Sequence, residues 1–462
     1  MLLVVSATRL RERIARGFAL ISMGLVISAC GSAGQPNLLM IVVDTLRRDH
    51  LGAYGYERDS APRIDALAAE SIRFTRAYST APWTQPSVAS IITGLYPSAH
   101  STNHLVSFLP KPADTLAEAL AGAGYATGAV VSHWILGSRY NFNQGHDVLL
   151  QDHAFEKEPF STPGVSSQAV DLLEGFARED RPFFLFVHFF DVHSSYQRHP
   201  EYGFSDEGAG RLRGGESIKE LREFDPPLDP EEIRFIKDAY DEEIRFTDAG
   251  VGDLLDALRR LDLDADTLVV FVADHGEAFF DHGLLGHETL HDEVLRVPLL
   301  IRLPSSKDRG RVIDEPFSLV SLMPTLLDLL EVDRSNLTFH GPSLVPRLDG
   351  NREFTAGALY AEHSKPRQNL FHHALIRGRF KLIVDRTSGE RELYDLERDP
   401  LEEDDLAQQQ PSLAESLAKQ LEETSRRVEA VALPRVREIR PGRAGPPPAI
   451  VAAPETGGPG GP

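Results

Sequence analysis

The chain has 462 residues, 42% of them hydrophobic, and a formal net charge of −21. That length and apolar content suit one large α/β domain with a smaller appendage and exclude a disordered protein. The acidic excess argues against a nucleic-acid partner, whose binding would rest on clustered Lys and Arg meeting phosphates.

At the N-terminus, Arg9, Arg11, Arg13 and Arg16 precede an apolar run from Phe18 to Ala29, and Cys30 follows. The run is shorter than an ordinary membrane span and has the proportions of a secretory signal. Ile27-Ser28-Ala29-Cys30 resembles a bacterial lipoprotein box. Residues 1–30 are therefore expected to direct export, with Cys30 acylated and the protein lipid-anchored to a membrane of the bacterial cell envelope. Cys30 is also the only cysteine, so no disulfide forms within one chain and no cysteine remains for a metal site or for catalysis.

After a linker at 31–36, "NLLMIVVD" (Asn37 to Asp44) is a continuous apolar run ending in a carboxylate, as expected for a strand buried on both faces. Similar runs start at Tyr125, Pro182, Thr267 and Arg296. Amphipathic helical stretches lie between them, including "APRIDALAAESI", "TLAEALAGAG" and "DEEIRFTDAGVGDLLDALRRL". Apolar strands alternating with helices predict an α/β fold with a doubly wound, mostly parallel sheet flanked by helices over 37–345. Pro159 to Pro230 reads as Gly/Pro-rich excursions interrupted by the Pro182 strand. Short strands and a helix near Pro411 to Val431 predict a small C-terminal antiparallel α+β subdomain over 346–432. The Pro/Gly-rich tail, 433–462, cannot bury enough surface to order itself.

In open α/β sheets, ligands bind at the carboxyl ends of the strands. Asp44 ends the first strand, and Asp274 with His275 ends the Thr267 strand. Two carboxylates and an imidazole so placed form a plausible divalent-metal site. The following segment, "ADHGEAFFDHGLLGHETLHDEVLRVPLL", places His275, His282, His287 and His291 among Asp274, Glu277, Asp281 and Asp292. A Gly-rich stretch with that many ionisable groups suits anion or metal binding better than core packing. In "APWTQPSVASIITGLYP", Thr84 precedes a helical run that stops at Gly94. It is expected as the N-cap, with Pro86 in the first turn and the free N–H groups facing any anion bound over its hydroxyl.

Taken together, "NLLMIVVDTLRRDHLGAYGY", "APWTQPSVASIITGLYP", "FFLFVHFFDVH", "ADHGE…DHGLLGHETLHDEVLRVPLLI" and "FKLIVD…ELYDLERDP" resemble the sulfatase family of the alkaline phosphatase superfamily, over roughly Asn37 to Leu406. The resemblance implies an alkaline-phosphatase-like fold and a divalent metal (manganese, zinc, calcium or magnesium) held by Asp44, Thr84, Asp274 and His275. It implies that His193 and His287 contact the transferred group or leaving oxygen, and that His133 and Ser87 lie in substrate-binding segments. Two departures stand out. Thr45 occupies the place of a second Asp common in sulfatases. Thr84-Gln85-Pro86-Ser87-Val88 stands where sulfatases carry Cys/Ser-x-Pro-x-Arg, whose first residue becomes formylglycine.

Thr is not a precursor of that aldehyde, so no formylglycine is expected. Thr-x-Pro instead looks like the nucleotide pyrophosphatase/phosphodiesterase branch, in which an unmodified Thr is the nucleophile. Cation coordination lowers a hydroxyl's pKa and orients it for in-line attack. The expected activity is thus metal-dependent hydrolysis of sulfate or phosphate esters, with phosphodiesterase or phosphotransferase-like chemistry favoured. The expected partner is a small anionic ester such as a glycan or lipid headgroup. The competing expectation is a catalytically inactive envelope lipoprotein of the same fold that binds anionic glycans or lipids. A two-metal phosphatase is a third option, with Asp191, His193, His287 and His363 as candidates for the second set.

Overall fold

The computed structural model describes residues 34–104, 107–154, 160–304, 308–351, 357–365 and 369–433. Cys30, the expected export segment and all of the expected tail except Leu433 lie outside the described residues.

The main sheet is built from the apolar runs. Its strands are β1 (Asn37–Val43), β2 (Ile72–Tyr78), β3 (Ala126–Val131), β4 (Val148–Leu150), β5 (Phe183–Phe189) and β6 (Thr267–Ala273). A two-stranded hairpin, β7 (Ala278–Phe279) and β8 (Leu285–Gly286), intervenes before β9 (Arg296–Arg302), β10 (Val312–Ile313) and β11 (Phe317–Ser318). The order is β10-β2-β9-β6-β1-β5-β3-β4, with β11 also on β2. Within this sheet every described pairing is parallel except those of β9 with β2 and β6. Leu38 to Val43 of β1 and all of β6 are buried, as a central strand covered by helices on both faces requires. The doubly wound, mostly parallel sheet is thus as expected.

The flanking helices include α1 (Pro62–Ala69), α2 (Thr84–Thr93), α3 (Thr162–Phe176) and α4 (Pro230–Arg260). Helix α3 falls where an excursion was expected. Its Pro163 and Gly164 lie in the first turn, and Val165, Ala169, Leu173 and Phe176 recur at helical spacing and are buried. Burying side chains of this kind contributes about 1.5–3 kcal/mol for each large one, enough to outweigh the Gly. Strand β2, also unforeseen, begins where "APRIDALAAESI" was read as helix to its end. Its polar Arg73, Thr75 and Arg76 hide the apolar period.

Helix α4 shapes the site from below. Asp229 caps it by accepting from the N–H groups of Glu231 and Glu232, with Pro230 at the first position. Midway along, the buried Tyr240 hydroxyl accepts from Arg47 N (2.8 Å) and donates to the Thr45 carbonyl (2.7 Å), which fixes the turn after β1.

The second sheet, β12 (Leu359–Lys365), β13 (Leu370–Arg377), β14 (Phe380–Asp385) and β15 (Arg391–Asp395), is antiparallel throughout. Leu375, Leu382 and Leu393 pack against Leu417 and Leu421 of α5 (Pro411–Glu429), and the same cluster includes Leu95, Tyr96 and Val320 of the main body. The small subdomain therefore shares a core with the region just after α2. No helix among the described residues is long and apolar enough to cross a membrane.

Candidate active site

Asp44 follows β1 and Asp274-His275 follows β6, and these strands are parallel neighbours in register from Asn37↔Thr267 to Val43↔Ala273. The pairing delivers residues 230 apart to one point at the carboxyl edge of the sheet. All three side chains are fully buried.

Within the cluster the polar atoms divide cleanly. Asp274 Oδ1 accepts from the backbone N–H of His275 (2.8 Å) and of Thr45 (3.3 Å), and Asp274 Oδ2 has no partner. Asp44 Oδ1 is likewise without a hydrogen bond. His275 donates Nδ1–H to the Gly276 carbonyl (2.9 Å), which leaves the Nε2 lone pair free, 3.5 Å from Asp44 Oδ1 and 3.6 Å from Asp274 Oδ2. Two orphaned carboxylate oxygens and one unprotonated imidazole nitrogen therefore converge, a donor set that fits a divalent cation.

The electrostatics agree. Burial and the neighbouring Asp44 charge push the Asp274 carboxyl well above its usual range. Burial alone would raise Asp44 as well, but the contact with His188 and the nearby His275 and His193 rings hold it below the ordinary range. Burial lowers His275 to about 3, so it is neutral and able to ligate. Two buried adjacent carboxylates need a compensating cation to remain ionised together.

Thr84 is the first residue of α2, and Trp83 is the cap, with no side-chain cap hydrogen bond. The expected N-cap role is therefore corrected. The Thr84 hydroxyl points to the cluster, donating to Asp44 Oδ2 at 3.0 Å and lying 3.5 Å from His275 Nε2. The helix does end at Gly94, in the left-handed region at φ +68°, where a Cβ would strike the Phe339 ring.

Ser87, expected at the substrate, is fully buried. Its hydroxyl donates to the Asp274 carbonyl (2.7 Å) and lies 2.9 Å from Ser79 Oγ, so it ties α2 to the end of β6 instead. Val88 faces a small, mostly apolar cavity with Ile92, Val131, Phe142, His146 and Phe186, so this position brings no charge to Thr84. Thr45 adopts φ +52° and aims its N–H, not a carboxylate, at Asp274.

The imidazoles form the wall of the site. The His287 ring centroid is 4.7 Å from that of His275 and 5.2 Å from that of His193. Both His193 and His133 stack on Phe190, at 4.6 and 4.3 Å. His193 donates Nδ1–H to the Ser194 carbonyl (2.9 Å). His133 is lowered to about 3 by burial, so it is a neutral contact rather than a cation. His287 Nδ1 lies 3.1 Å from Glu277 Oε1, and Glu277 Oε2 accepts from the Tyr196 hydroxyl (2.9 Å). Burial raises Glu277, but His287, His193 and His275 more than offset this and keep it ionised.

Glu277 and His188 are functional neighbours that the sequence reading did not assign. Glu277 is within the quoted Asp-His-Gly-Glu run. His188 is concealed in "FFLFVHFF", where its only signal is a lone imidazole in an otherwise apolar strand. The second metal set is not assembled. Asp191 is consumed by Ser161 and Thr162 at the start of α3 (2.6 to 3.0 Å), and His363 sits in β12 opposite His372. Another group, His282, His291 and Glu293, lies at the seam with the small subdomain, but its ring nitrogens are already paired with Glu293, the Glu402 carbonyl, Thr289 and Glu392.

A buried carboxylate–imidazole cluster able to hold a cation, under a helix-borne hydroxyl at the carboxyl edge of a doubly wound sheet, is the arrangement of an alkaline-phosphatase-like ester hydrolase. The sulfatase family model matches residues 36–332, and the model for the N-sulphoglucosamine sulphohydrolase C-terminal region matches residues 280–428. The chain belongs to the sulfatase family and is a hydrolase of that family. It is 28% identical to human arylsulfatase A over 409 residues, covering 76% of this chain and 75% of the relative. In structure it resembles a 2-O GAG sulfatase (TM-score 0.73, 21% identity, 86% of this chain and 93% of the other). It also resembles the phosphonate monoester hydrolase of Agrobacterium radiobacter (TM-score 0.68, 22% identity, 85% and 96%).

Proposed function

We propose that the protein cleaves a sulfate or phosphate ester by in-line attack of unmodified Thr84, with phosphoryl chemistry favoured. The observation that carries this reading is the Thr84 hydroxyl directed at Asp44 Oδ2, 3.0 Å away, beside two orphaned carboxylate oxygens and the His275 Nε2 atom. A divalent ion held by Asp44, Asp274 and His275 would supply Lewis acidity and lower the pKa of the Thr84 hydroxyl.

The rest of the chemistry belongs to the chain. Thr84 Oγ1 bonds to phosphorus or sulfur as the bond to the leaving oxygen breaks, and its proton is directed at Asp44 Oδ2. His287 or His193 protonates the departing oxygen, with Glu277 holding the His287 ring. Water, or an acceptor alcohol, then releases the Thr84 ester. Formylglycine lets a sulfate ester collapse by elimination, a route closed to a Thr ester, which is why phosphate is favoured.

The test is a panel of aryl sulfates, phosphate monoesters, phosphodiesters and phosphonates, with several divalent metals, on wild type and Thr84→Ala. Turnover of a phosphate ester in wild type and its loss in Thr84→Ala supports the reading; equal turnover in both sinks it. One observation, the uncharged Val88 side chain, favours a second reading, in which the site binds an anionic glycan or lipid headgroup without turning it over. Saturable binding without turnover on the whole panel would select that reading. Acylation at Cys30 is proposed from the arginine-flanked apolar run ahead of it, and incorporation of radiolabelled palmitate that is lost in Cys30→Ala tests it.

A further inference from the structure

The two oxygens of Asp44 have different surroundings. Oδ1 has no hydrogen bond and lies 3.5 Å from His275 Nε2. Oδ2 receives the Thr84 hydroxyl and is also approached by His188 Nε2 at 3.3 Å. His188 is the penultimate residue of β5, in register with Val42 of β1 on one side and Val131 of β3 on the other. Its side chain is completely buried, and Nε2 has no partner among the described residues apart from this carboxylate.

An imidazole buried in a strand that otherwise reads Phe-Phe-Leu-Phe-Val-Phe costs desolvation that an apolar side chain would avoid. A lone pair facing the Asp44 oxygen would be repelled, so Nε2 carries its proton on the side of Oδ2, a close electrostatic contact at 3.3 Å. The other side of the ring is held by Ser132, whose Oγ is 3.3 Å from Nδ1 and donates to the His188 carbonyl at 2.7 Å.

We infer that His188 is a positioning residue for Asp44, holding Oδ2 so that Oδ1 alone faces the other ligand atoms and Oδ2 remains the fixed acceptor for Thr84. The inference rests on the metal-dependent Thr84 reading and adds a residue to it. Without the donor on β5, the carboxylate is free to rotate about its Cβ–Cγ bond, and both the ligand set and the Thr84 acceptor lose their fixed orientation. Outer partners of metal ligands typically govern affinity or activity by roughly 10- to 100-fold.

The test measures Mn2+ affinity by electron paramagnetic resonance on the substrate-free protein, together with kcat and KM, in wild type, His188→Phe and His188→Gln. His188→Phe, which fills the space without a donor, is expected to bind Mn2+ roughly tenfold or more weakly. Its kcat is expected to fall more than its KM rises. His188→Gln, whose amide N–H can replace the donor, is expected to recover most of both. If wild type binds Mn2+ and His188→Phe binds it equally well with kcat intact, the inference is overturned. If wild type itself binds no Mn2+, the metal-dependent reading fails instead. Should His188→Phe fail to fold, His188→Met takes its place, and equal Mn2+ affinity in the Met and Gln variants overturns the inference.

Discussion

Thr84 and Asp44 are 40 residues apart in sequence and come from a helix start and a strand end, yet the hydroxyl of one donates to the carboxylate of the other at 3.0 Å with both side chains buried. A hydroxyl that merely began a helix would have accepted from a backbone N–H in the first turn. Here α2 begins without a side-chain cap, and the oxygen is directed to the cluster.

Removing either carboxylate should abolish metal binding. Asp44→Asn and Asp274→Asn each replace an orphaned anionic oxygen with a group that cannot carry the charge, so bound metal measured by plasma mass spectrometry should fall from about one per chain to near zero. Unchanged stoichiometry in Asp274→Asn would show that the ion sits elsewhere.

Val88→Arg should not restore sulfatase chemistry. The position faces Ile92, Val131, Phe142 and Phe186, with His146 the one polar side chain in the lining, so a guanidinium there is buried without a counter-charge or forces the cavity open. The expected cost is several kcal/mol, on the order of 3, read as a lowered urea midpoint. Full stability together with a gain in aryl sulfate turnover would show that the side chain reaches Thr84 after all.

The seam with the small subdomain should weaken in alkali. Hydrogen bonding to Glu293 raises His282 to about 9, against the opposing effect of partial burial, while the stacked His291 is lowered by burial. A folded-state pKa above the unfolded value means that the stabilisation is fully present below about pH 6.5 and lost as pH rises through about 9. Melting temperature should decline across that window in wild type, with a flatter profile in His282→Ala. Parallel profiles would assign the pH dependence to other groups.

Lys381 joins the two halves from inside. It is fully buried and donates to Asp292 (2.9 Å) and Glu402 (3.1 Å). Burial disfavours its charge, but the two carboxylates raise it well above the usual lysine range. Lys381→Met leaves a buried acid uncompensated and should cost about 3–5 kcal/mol in chemical denaturation. A loss below about 1 kcal/mol would mean that the carboxylates find other partners.

The architecture was legible where apolar runs are uninterrupted. The strands that became β1, β3, β5, β6 and β9 were read directly, and Asp44 and Asp274-His275 were placed at their ends. Elements were missed where polar residues break the period, as in β2, or where Gly and Pro sit in the first turn of a helix, as in α3. The Thr84 cap was misread because Thr before a helix has a strong local preference, and only tertiary contact reveals that its oxygen serves Asp44. His188 could not be recognised, since a single imidazole in an apolar strand gives no sign of what faces it. The resemblance puts Ser87 in a substrate-binding segment, yet three residues on from Thr84, about 300° around α2, its hydroxyl is taken up by the Asp274 carbonyl and Ser79.

The most direct test of the central claim is mass spectrometry of metal-loaded protein acid-quenched during turnover of a phosphodiester, with His287→Ala included to slow breakdown of the covalent intermediate. The account predicts a phosphoryl-bearing adduct on the peptide containing Thr84, absent in Thr84→Ala, which should retain roughly a thousandth of wild-type kcat or less. Undiminished turnover in Thr84→Ala, with no adduct on the wild-type peptide, would contradict it.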